Sequence, residues 1–188
     1  MTRGEAAFDP RTDRPGAARI ADMLRVDQAG EYGAVEIYRG QRAVFAGLPH
    51  KRRIAAILDD MAKSEAAHLA AFDRLLAERR VRPTLLSPIW KAAGFALGAA
   101  TALIGEKAAM AATEAVEDVI EAHYQRQARA LEARDPPLAA ALSAFGAEEA
   151  AHRRTAEAEG AREAVGHPFL RGLIQAGCRA AIRLSEKI

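Results

Sequence analysis

The sequence predicts an all-α fold, and three features of its composition and patterning support this prediction. Half of the 188 residues are hydrophobic, but only 5% are aromatic. Alanine, the strongest helix former, fills about a quarter of the chain, whereas the β-branched and aromatic residues that strands favour are sparse. Apolar residues recur at helical spacing along almost the whole chain. These features argue against an all-β fold and against an α/β fold.

Turn residues divide this helical pattern into segments. Gly47-Leu48-Pro49 ends the first long helix, and Asp135-Pro136-Pro137 separates the third long helix from the fourth. A basic connector over residues 79–88 precedes an apolar segment over residues 89–105. We expect a mobile polar lead over residues 1–16 and a single domain over residues 17–188. Its long helices are expected at residues 17–46, 50–79, 106–134, 137–159 and 169–187, with a turn region at 160–168.

Charge, cysteine content and targeting signals exclude several classes. The net charge of +2 gives no indication of a nucleic-acid partner. The single cysteine, Cys178, excludes an intrachain disulfide and a cysteine-rich zinc site, and it suits a reducing compartment. The N-terminal stretch resembles neither a secretory signal nor a transit peptide. The longest charge-free stretch, residues 92–105, is shorter than the roughly 20 residues that a membrane-spanning helix needs.

An internal repeat is the most informative feature of the sequence. The tetrapeptide Glu-Ala-Ala-His occurs at Glu65–His68 and again at Glu149–His152, 84 residues further on. One glutamate precedes each tetrapeptide on the preceding long helix, Glu31 by 34 residues and Glu117 by 32 residues. A single Glu-x-x-His pair is typical of a solvated helix face. Two pairs in register, each with a glutamate one helix earlier, indicate two helix pairs that share one pattern.

All four of these glutamates lie on the apolar stripes of their helices. Residues three, four and seven positions apart share a helix face, and the stripe around Glu65 includes Leu58 and Phe72. A buried carboxylate needs a compensating charge. The stripe around Glu65 contains no Lys or Arg, and Arg153 on the stripe around Glu149 is able to reach water. Four carboxylates and two imidazoles are therefore expected to point toward the core of a helical bundle.

Metal ions would resolve this charge problem. Two divalent cations balance four carboxylates, and two neutral histidines complete their coordination. Iron or manganese suits an oxygen-rich set with histidine better than zinc or copper does. A glutamate from each of two helices and a Glu-x-x-His from each of two others is typical of ferritin-like di-iron and di-manganese proteins. The sequence thus predicts a ferritin-like four-helix bundle with a crossover or interfacial helix and an extra C-terminal helix.

The glutamate on the third long helix is not settled by spacing alone. Glu114 would give a gap of 35 residues to Glu149, closer to the 34 of the first pair than the gap from Glu117. The stripe around Glu114, however, contains Lys107 and Asp118. The face argument therefore favours Glu117 and leaves Glu114 as the alternative.

Several segments taken together are characteristic of one family. They are Arg25-Val-Asp-Gln-Ala-Gly-Glu-Tyr-Gly-Ala34, Glu65-Ala-Ala-His68, Arg82-Pro-Thr84, Pro88-Ile-Trp90, Gly94-Phe-Ala-Leu-Gly98, Val116-Glu-Asp-Val-Ile-Glu-Ala-His-Tyr124, Glu148-Glu-Ala-Ala-His152 and Ile174-Gln-Ala-Gly-Cys-Arg179. With these segments the chain resembles the demethoxyubiquinone hydroxylase family from about residue 18 to its C-terminus. The stretch around Glu31 is specific to that family, whereas Glu-x-x-His is shared by all ferritin-like di-iron proteins. Gln28 departs from the family, which often carries histidine there.

The resemblance implies a di-iron monooxygenase of ubiquinone biosynthesis. Such an enzyme hydroxylates the ring of a demethoxyubiquinol (2-polyprenyl-3-methyl-6-methoxy-1,4-benzoquinol 5-hydroxylase). It uses two Fe ions per chain, O2 as co-substrate and an external reductant, for which NADH is the candidate. By position in the family, Glu31 and Glu117 would be terminal ligands and Glu65 and Glu149 bridging ligands. His68 and His152 would bind one iron each.

The family also carries a histidine and a tyrosine near the irons, linked to substrate or electron delivery. His123 and Tyr124 match this pair and are the candidate catalytic residues. Tyr124 lies seven residues after Glu117 and so shares its helix face. A core tyrosine with a satisfied hydroxyl group is the alternative for Tyr124.

A lipid quinol substrate requires a docking surface, and two segments are candidates. Basic residues beside Ile89-Trp90 and the apolar stretch Ala92–Gly105 are typical of an interfacial helix. The alternative for this segment is a buried crossover helix in which Gly94 and Gly98 allow close packing. The last helix is the weaker candidate. The basic residues of the first segment are Arg79, Arg80, Arg82 and Lys91, and the polar stripe of the last helix is Arg171, Gln175, Arg179, Arg183 and Lys187.

We therefore expect a peripheral protein on the cytoplasmic face of the cell membrane, without a nucleic-acid partner. A homo-oligomer and a lipid-binding partner protein stay open. Two other functions also stay open at this level. One is a different ferritin-like di-metal oxidase or peroxidase, which the stretch around Glu31 argues against. The other is a non-catalytic helical membrane adaptor whose carboxylates only form salt bridges.

Overall fold

The computed structural model describes residues 14–186 and residue 188, without the side chains of Arg14 and Pro15. These residues contain no strand, so the predicted all-α class is confirmed. Short 3-10 turns at Pro49–Lys51 and Ala161–Glu163 interrupt the connections between helices. The six helices are α1 (Arg14–Phe45), α2 (Arg52–Arg79), α3 (Ser87–Ile104), α4 (Glu106–Leu131), α5 (Pro136–Ala158) and α6 (His167–Ser185).

Every predicted helix is present, and each boundary lies within three residues of the predicted one. The N-terminal lead predicted for residues 1–16 falls outside the described residues up to residue 13. Residues 14–16 already belong to α1, so the first helix begins earlier than predicted. The boundary before α5 is the one predicted from Asp135-Pro136-Pro137. Asp135 caps that helix by accepting a hydrogen bond from the backbone nitrogen of Leu138 at 3.2 Å.

Four helices, α1, α2, α4 and α5, form a ferritin-like bundle. Helix α1 packs along α2, and α4 packs along α5. Two buried apolar clusters occupy different levels of the bundle, one containing Leu24, Phe72 and Leu142 and the other containing Phe45 and Leu58. The buried carboxylates of the bundle belong to neither cluster.

Helix α4 is the central helix of the described chain. Every residue from 108 to 117 is buried, so no side of this stretch faces solvent. A helix that is buried all round needs neighbours on every side, and α1, α3, α5 and α6 all contact α4. Half of these ten residues are alanine, which allows the neighbouring helices to approach closely. The alanine excess of the sequence thus has a direct structural use.

Helix α3 connects the two halves of the bundle and packs along α1. Glycines make this contact close: a Cβ atom on Gly94 would lie 2.7 Å from the carbonyl oxygen of Gly33, and one on Gly98 would overlap the carbonyl oxygen of Ile37. One face of α3 is therefore the packed crossover described by the alternative interpretation. Its other face exposes large apolar side chains, including Leu103 and Ile104 at 75% and 73%.

Side chains of both docking segments make contacts within the fold. Trp90, beside the predicted interfacial helix, is half-buried and donates a hydrogen bond from Nε1 to the hydroxyl oxygen of Ser185 in α6 at 2.9 Å. Arg171 and Gln175, on the polar stripe of the last helix, both donate to Asp118 of α4. These bonds form because α6 lies against α4 rather than standing free. The side chain of Lys187 lies outside the described residues. Among the described helices, none has the length and apolarity to cross a membrane.

Candidate metal centre

Six side chains from four helices converge in the interior of the bundle. Helix α1 supplies Glu31, α2 supplies Glu65 and His68, α4 supplies Glu117, and α5 supplies Glu149 and His152. Their candidate ligand atoms form two groups of four, and within each group all atoms lie within 4.8 Å of one another. The first group is Glu31, Glu65, His68 and Glu149, and the second is Glu65, Glu117, Glu149 and His152. The structure therefore brings together all six residues that the repeat singled out.

Glu65 and Glu149 belong to both groups, and the two histidines face them from opposite groups. The Nδ1 atom of His68 lies 3.0 Å from Oε1 of Glu149 and 3.6 Å from Oε2 of Glu31. The Nδ1 atom of His152 lies 2.8 Å from Oε1 of Glu65 and 3.2 Å from Oε2 of Glu149. Each group thus has one histidine, one glutamate of its own and two shared glutamates.

The hydrogen-bonding state of these atoms tests whether the residues fit a pair of cations. Buried polar atoms in proteins are almost always hydrogen-bonded, yet several atoms of this cluster have no hydrogen-bond partner. They are Oε2 of Glu31, both carboxylate oxygens of Glu65, Nδ1 of His68, Oε2 of Glu117 and Oε1 of Glu149. All of them belong to the two groups of candidate ligands. Carboxylate oxygens with imidazole nitrogen form a donor set that suits iron or manganese, so the residues fit.

No Lys or Arg among the described residues neutralises the four carboxylates. Their only ion-pair partners are His68 and His152. Arg153, which the sequence placed at the edge of this face, pairs instead with Glu121 and Glu157 at 3.0 Å. The salt bridges expected of a non-catalytic adaptor are therefore not formed in the part of the chain that the structure describes.

Protons take up the uncompensated charge in the metal-free cluster. Burial, reinforced by the neighbouring carboxylates, raises the pKa of Glu65 and Glu117 well above the ordinary value. Burial also opposes ionisation of Glu149, but hydrogen bonds with His152 and His68 lower its pKa to about 2. Desolvation disfavours the cationic form of His68, but the close carboxylates of Glu149 and Glu31 outweigh it and raise the pKa of His68 to about 11. These shifts favour the protonated forms of Glu65, Glu117 and His68 when no cation is bound, and a metal ligand must be deprotonated to bind.

Two buried tyrosines hold the unshared glutamates, and they do so crosswise. Tyr38, seven residues after Glu31 on α1, donates its hydroxyl to Oε1 of Glu117 on α4 at 2.7 Å. Tyr124, seven residues after Glu117, donates its hydroxyl to Oε1 of Glu31. Burial raises the pKa of both phenols well above the ordinary value, so both remain donors. No role was predicted for Tyr38 from the sequence. Tyr38 nevertheless follows Glu31 by seven residues, as Tyr124 follows Glu117.

The alternative glutamate on α4 faces a different partner. Oε2 of Glu114 lies 2.5 Å from Nε2 of His167 at the start of α6, and Arg171 approaches the same carboxylate at 3.7 Å. Glu114 is therefore buried against α6 and takes no part in the cluster. The structure places Glu117 in the cluster, as its helix face predicted, and Glu114 outside it.

His123 lies beside the cluster without joining it. Its Nε2 atom lies 3.1 Å from Oδ1 of the buried Asp27, and Gln127 donates to the same oxygen at 3.0 Å. The other edge of this histidine lines a cleft of about 620 Å³ between α1, α4 and α6. Four arginines line that cleft, namely Arg19, Arg126, Arg179 and Arg183. The sequence analysis did not single out Asp27, although it precedes Glu31 by one helical turn.

Aromatic rings cover one side of the cluster. The ring centroid of Phe145 lies 4.5 Å from that of His68 and 5.5 Å from that of Phe72. Phe72 in turn stacks on Tyr124 at 5.9 Å. These rings present apolar surface next to the carboxylates, so they exclude water from that side of the candidate metal centre.

Comparison with known proteins gives consistent matches over most of the chain. The family model of the ubiquinone biosynthesis protein COQ7 matches residues 18–185. The 3-demethoxyubiquinol 3-hydroxylase of Rhodospirillum rubrum is 51% identical over 94% of this chain and 82% of its own length. The Homo sapiens NADPH-dependent 3-demethoxyubiquinone 3-hydroxylase is 42% identical over 94% of this chain and 81% of its own length. The Saccharomyces cerevisiae 5-demethoxyubiquinone hydroxylase is 40% identical over 92% and 79%.

Proposed function

The chain belongs to the family of the ubiquinone biosynthesis protein COQ7, and from this membership we propose its reaction and its metal site. It is a hydroxylase that adds a hydroxyl group to the ring of a demethoxyubiquinol in ubiquinone biosynthesis. It carries out this step with two iron ions and O2. The single observation that supports the metal site best is the pair of overlapping four-residue groups around Glu65 and Glu149.

Each residue of the cluster has a role in this proposal. Glu65 and Glu149 would be shared by the two ions, because they are common to both groups of candidate ligands. Glu31 and His68 would hold one ion with them, and Glu117 and His152 would hold the other. When bound, reduced iron supplies the activation of O2, which no protein side chain provides. Tyr38 and Tyr124 hold the two unshared carboxylates in place, so we assign Tyr124 a positioning role through Glu31.

The named relatives favour this reaction over a different di-metal oxidase or peroxidase. The three relatives described above are all named as hydroxylases of demethoxyubiquinol or demethoxyubiquinone. Their similarity extends over 92–94% of this chain, and the residues that the family model matches, 18–185, include every residue of the cluster. A non-catalytic adaptor would also not require six interior side chains with unpaired buried atoms.

Product analysis tests the proposed reaction. Protein loaded anaerobically with Fe(II) is incubated with demethoxyubiquinol, reductant and isotopically labelled O2. We expect one labelled oxygen in the ring of the product and two iron ions per chain. Glu65→Ala and Glu149→Ala should lose both the metal pair and the activity, whereas Glu78→Ala, on an exposed face of α2, should retain them. Retention of two ions and full activity in Glu65→Ala would contradict the bridging role.

The reaction also needs an external reductant, and NADH was the candidate from the sequence. The human relative is named NADPH-dependent, so we propose a nicotinamide nucleotide as the donor for this chain. The cleft beside His123 has a positive balance for binding the phosphates of the nucleotide, because its four arginines outnumber two acids, Asp22 and Glu186, and arginine pairs with phosphate through two parallel hydrogen bonds. His123 would then contact the bound nucleotide or the quinol ring.

Steady-state kinetics test this position of the reductant. Arg126→Glu should raise KM for the nucleotide about tenfold or more with little change in kcat, because it reverses one charge in the cleft. Arg129→Glu is the matched control, since Arg129 lies on the same helix, is exposed and does not line the cleft. Equal effects of the two substitutions would reject this cleft as the binding site.

We also propose that the protein attaches to the cell membrane as a peripheral protein, through α3 and the start of α6. Large apolar side chains are exposed on both elements, with Leu103 at 75%, Phe169 at 78% and Leu173 at 61%. The two helices are linked by the hydrogen bond from Trp90 of α3 to Ser185 of α6. Exposed apolar residues grouped in this way mark contact surfaces for a membrane or a protein. The cytoplasmic face of that membrane stays a prediction, as do a homo-oligomer and a lipid-binding partner.

Vesicle flotation tests the attachment surface. Leu103→Asp combined with Phe169→Asp should reduce the fraction of protein that floats with phosphatidylglycerol-containing vesicles, because charges are costly in the apolar layer. Ala144→Asp, on an exposed face of α5, is the control. The metal content of all three proteins should be equal, so that a change in flotation is not caused by a change in fold. Unchanged flotation of the double variant would exclude this surface.

A further inference from the structure

The outer ring nitrogens of the two cluster histidines have unequal surroundings. The Nε2 atom of His68 lies 3.0 Å from Oε2 of Glu148, which is supplied by α5. The hydroxyl of Ser64 donates to the same carboxylate oxygen at 3.1 Å. For His152, no acid other than Glu65 and Glu149 lies within ion-pair distance among the described residues. Only one histidine therefore has a carboxylate outside the cluster on its far side.

The internal repeat explains this difference. The shift of 84 residues that relates His68 to His152 and Glu65 to Glu149 also relates Ser64 to Glu148. These two related residues contact each other across the interface between α2 and α5. A glutamate is long enough to reach the histidine of the opposite helix, whereas a serine is not. The two halves of the repeat thus differ at the one position that can hold a histidine from outside.

A carboxylate that accepts a hydrogen bond from the far ring nitrogen of a metal-binding histidine changes how that histidine binds the metal. Ionised glutamate only accepts hydrogen bonds, so its contact with His68 requires the proton on Nε2. The Nδ1 atom, which faces Glu31 and Glu149, is then the nitrogen left to bind a cation. A partner of this kind fixes the tautomer and orientation of the ring and increases its basicity, and its loss costs about 10–100-fold in metal affinity. Nothing comparable fixes the ring of His152.

We propose that Glu148 is a positioning residue that makes the two metal positions unequal, so that the position of Glu31 and His68 binds its ion first. This inference rests on the proposed metal pair. Glu148 acts through His68 and contacts neither ion itself. Its side chain is 54% exposed, so its replacement leaves the folded core intact.

Stepwise metal binding tests the proposal. Metal-free protein is titrated anaerobically with Co(II) and followed by calorimetry and by the visible absorption of bound Co(II). Glu148→Ala should weaken the first binding step by about 10–100-fold and leave the second nearly unchanged. Glu148→Gln keeps an oxygen acceptor and should have a smaller effect. Glu78→Ala removes an exposed acid from α2 and should change neither step.

Variants that lack one histidine show through which histidine Glu148 affects Co(II) affinity. In a His68→Ala background, Glu148→Ala should have no further effect on Co(II) affinity, whereas in a His152→Ala background the full loss should remain. The exchange variant, Ser64→Glu with Glu148→Ser, should transfer the stronger binding to the position of His152. Circular dichroism of the metal-free variants should be unchanged.

The outcomes separate this inference from the proposed function. Equal weakening of both steps by Glu148→Ala, or a full effect in the His68→Ala background, would overturn the role of Glu148 while leaving the metal pair in place. Failure of the unsubstituted protein to bind two ions would overturn the metal pair, and the inequality of its positions with it.

Discussion

At the residue scale, two tyrosine hydroxyls are the strongest constraint on the unshared carboxylates. Tyr38 and Tyr124 are each 1% exposed, and each donates to a glutamate from the other half of the repeat. These two hydrogen bonds link α1 to α4 directly beside the candidate metal centre. It also leaves one oxygen of each glutamate free of hydrogen bonds, Oε2 of Glu31 and Oε2 of Glu117. Those two oxygens are the ones available to a cation.

Tyr38→Phe tests this arrangement because it removes the hydroxyl and keeps the ring. Without its donor, Glu117 is no longer held, and we expect Co(II) affinity to fall about 10–100-fold. The matched control is Tyr32→Phe, since Tyr32 lies on the same helix and makes no contact with the cluster. Calorimetric titration measures both variants. An affinity equal to that of the unsubstituted protein would show that Glu117 needs no such support.

At the element scale, the close contact between α1 and α3 positions the crossover helix. Gly98→Ala would place a methyl group against the carbonyl oxygen of Ile37, so the backbones would have to separate. We expect a loss of about 1–3 kcal/mol in the free energy of unfolding, the usual range for overpacking. Urea denaturation measures this quantity.

Gly172→Ala provides the control for the glycine substitution. Gly172 lies on the exposed side of α6, and a Cβ atom there would meet no atom within 4 Å. Because alanine favours a helix over glycine by about 0.8–1.0 kcal/mol, this variant should be as stable as the original protein or more stable. A Gly98→Ala variant as stable as the Gly172→Ala variant would mean that the close approach of α3 to α1 does not constrain position 98.

Polar contacts fix α6 more specifically than its apolar face does. His167 pairs with Glu114, while Arg171 and Gln175 donate to Asp118. Trp90 adds a link from α3 to Ser185. These bonds set the rotation of α6, and with it which apolar side chains face outward. Phe169 and Leu173 are exposed because Leu170 and Ile174, together with the polar side chains, face α4 instead.

At the scale of the whole molecule, the protonated cluster makes stability depend on pH. Folding raises the pKa of Glu65 and Glu117 above the value near 4.5 of the unfolded chain. A carboxyl group of this kind contributes stability below its unfolded pKa and loses it as the pH rises through the folded pKa. His68 acts in the same direction above pH 6.5, since its folded pKa is about 11. The folded pKa of Glu149 is about 2, so its contribution to stability is lost only as the pH falls below 4.5.

The metal-free protein should therefore lose stability as the pH rises above about 4.5, where unfolded Glu65 and Glu117 ionise, and further between pH 6.5 and about 11, where His68 contributes. The metal-loaded protein should not, because bound cations hold the carboxylates ionised and take the place of the protons. Calorimetric scans of both forms should show a difference in Tm that widens with rising pH. A difference that is constant over this range would mean that the cluster does not hold protons in the metal-free state.

The sequence by itself determined the fold class, the helix boundaries and the cluster of six residues. It could do so because each depends on local rules. Alanine content and helical periodicity predict helices, prolines and glycines end them, and the i, i+3 spacing of Glu65 and His68 places both side chains on one face. The requirement to neutralise buried carboxylates then linked the four helices, since it applies whatever their exact packing is.

Only the tertiary structure decided which residues support the cluster from outside. The hydrogen bonds of Tyr38 to Glu117 and of Glu148 to His68 join residues 79 and 80 positions apart. Trp90 likewise turned inward to Ser185 because α6 lies within its reach. Such contacts depend on the distance and rotation between helices. Those quantities are set by the packing of whole faces, and a pattern within one helix does not contain them.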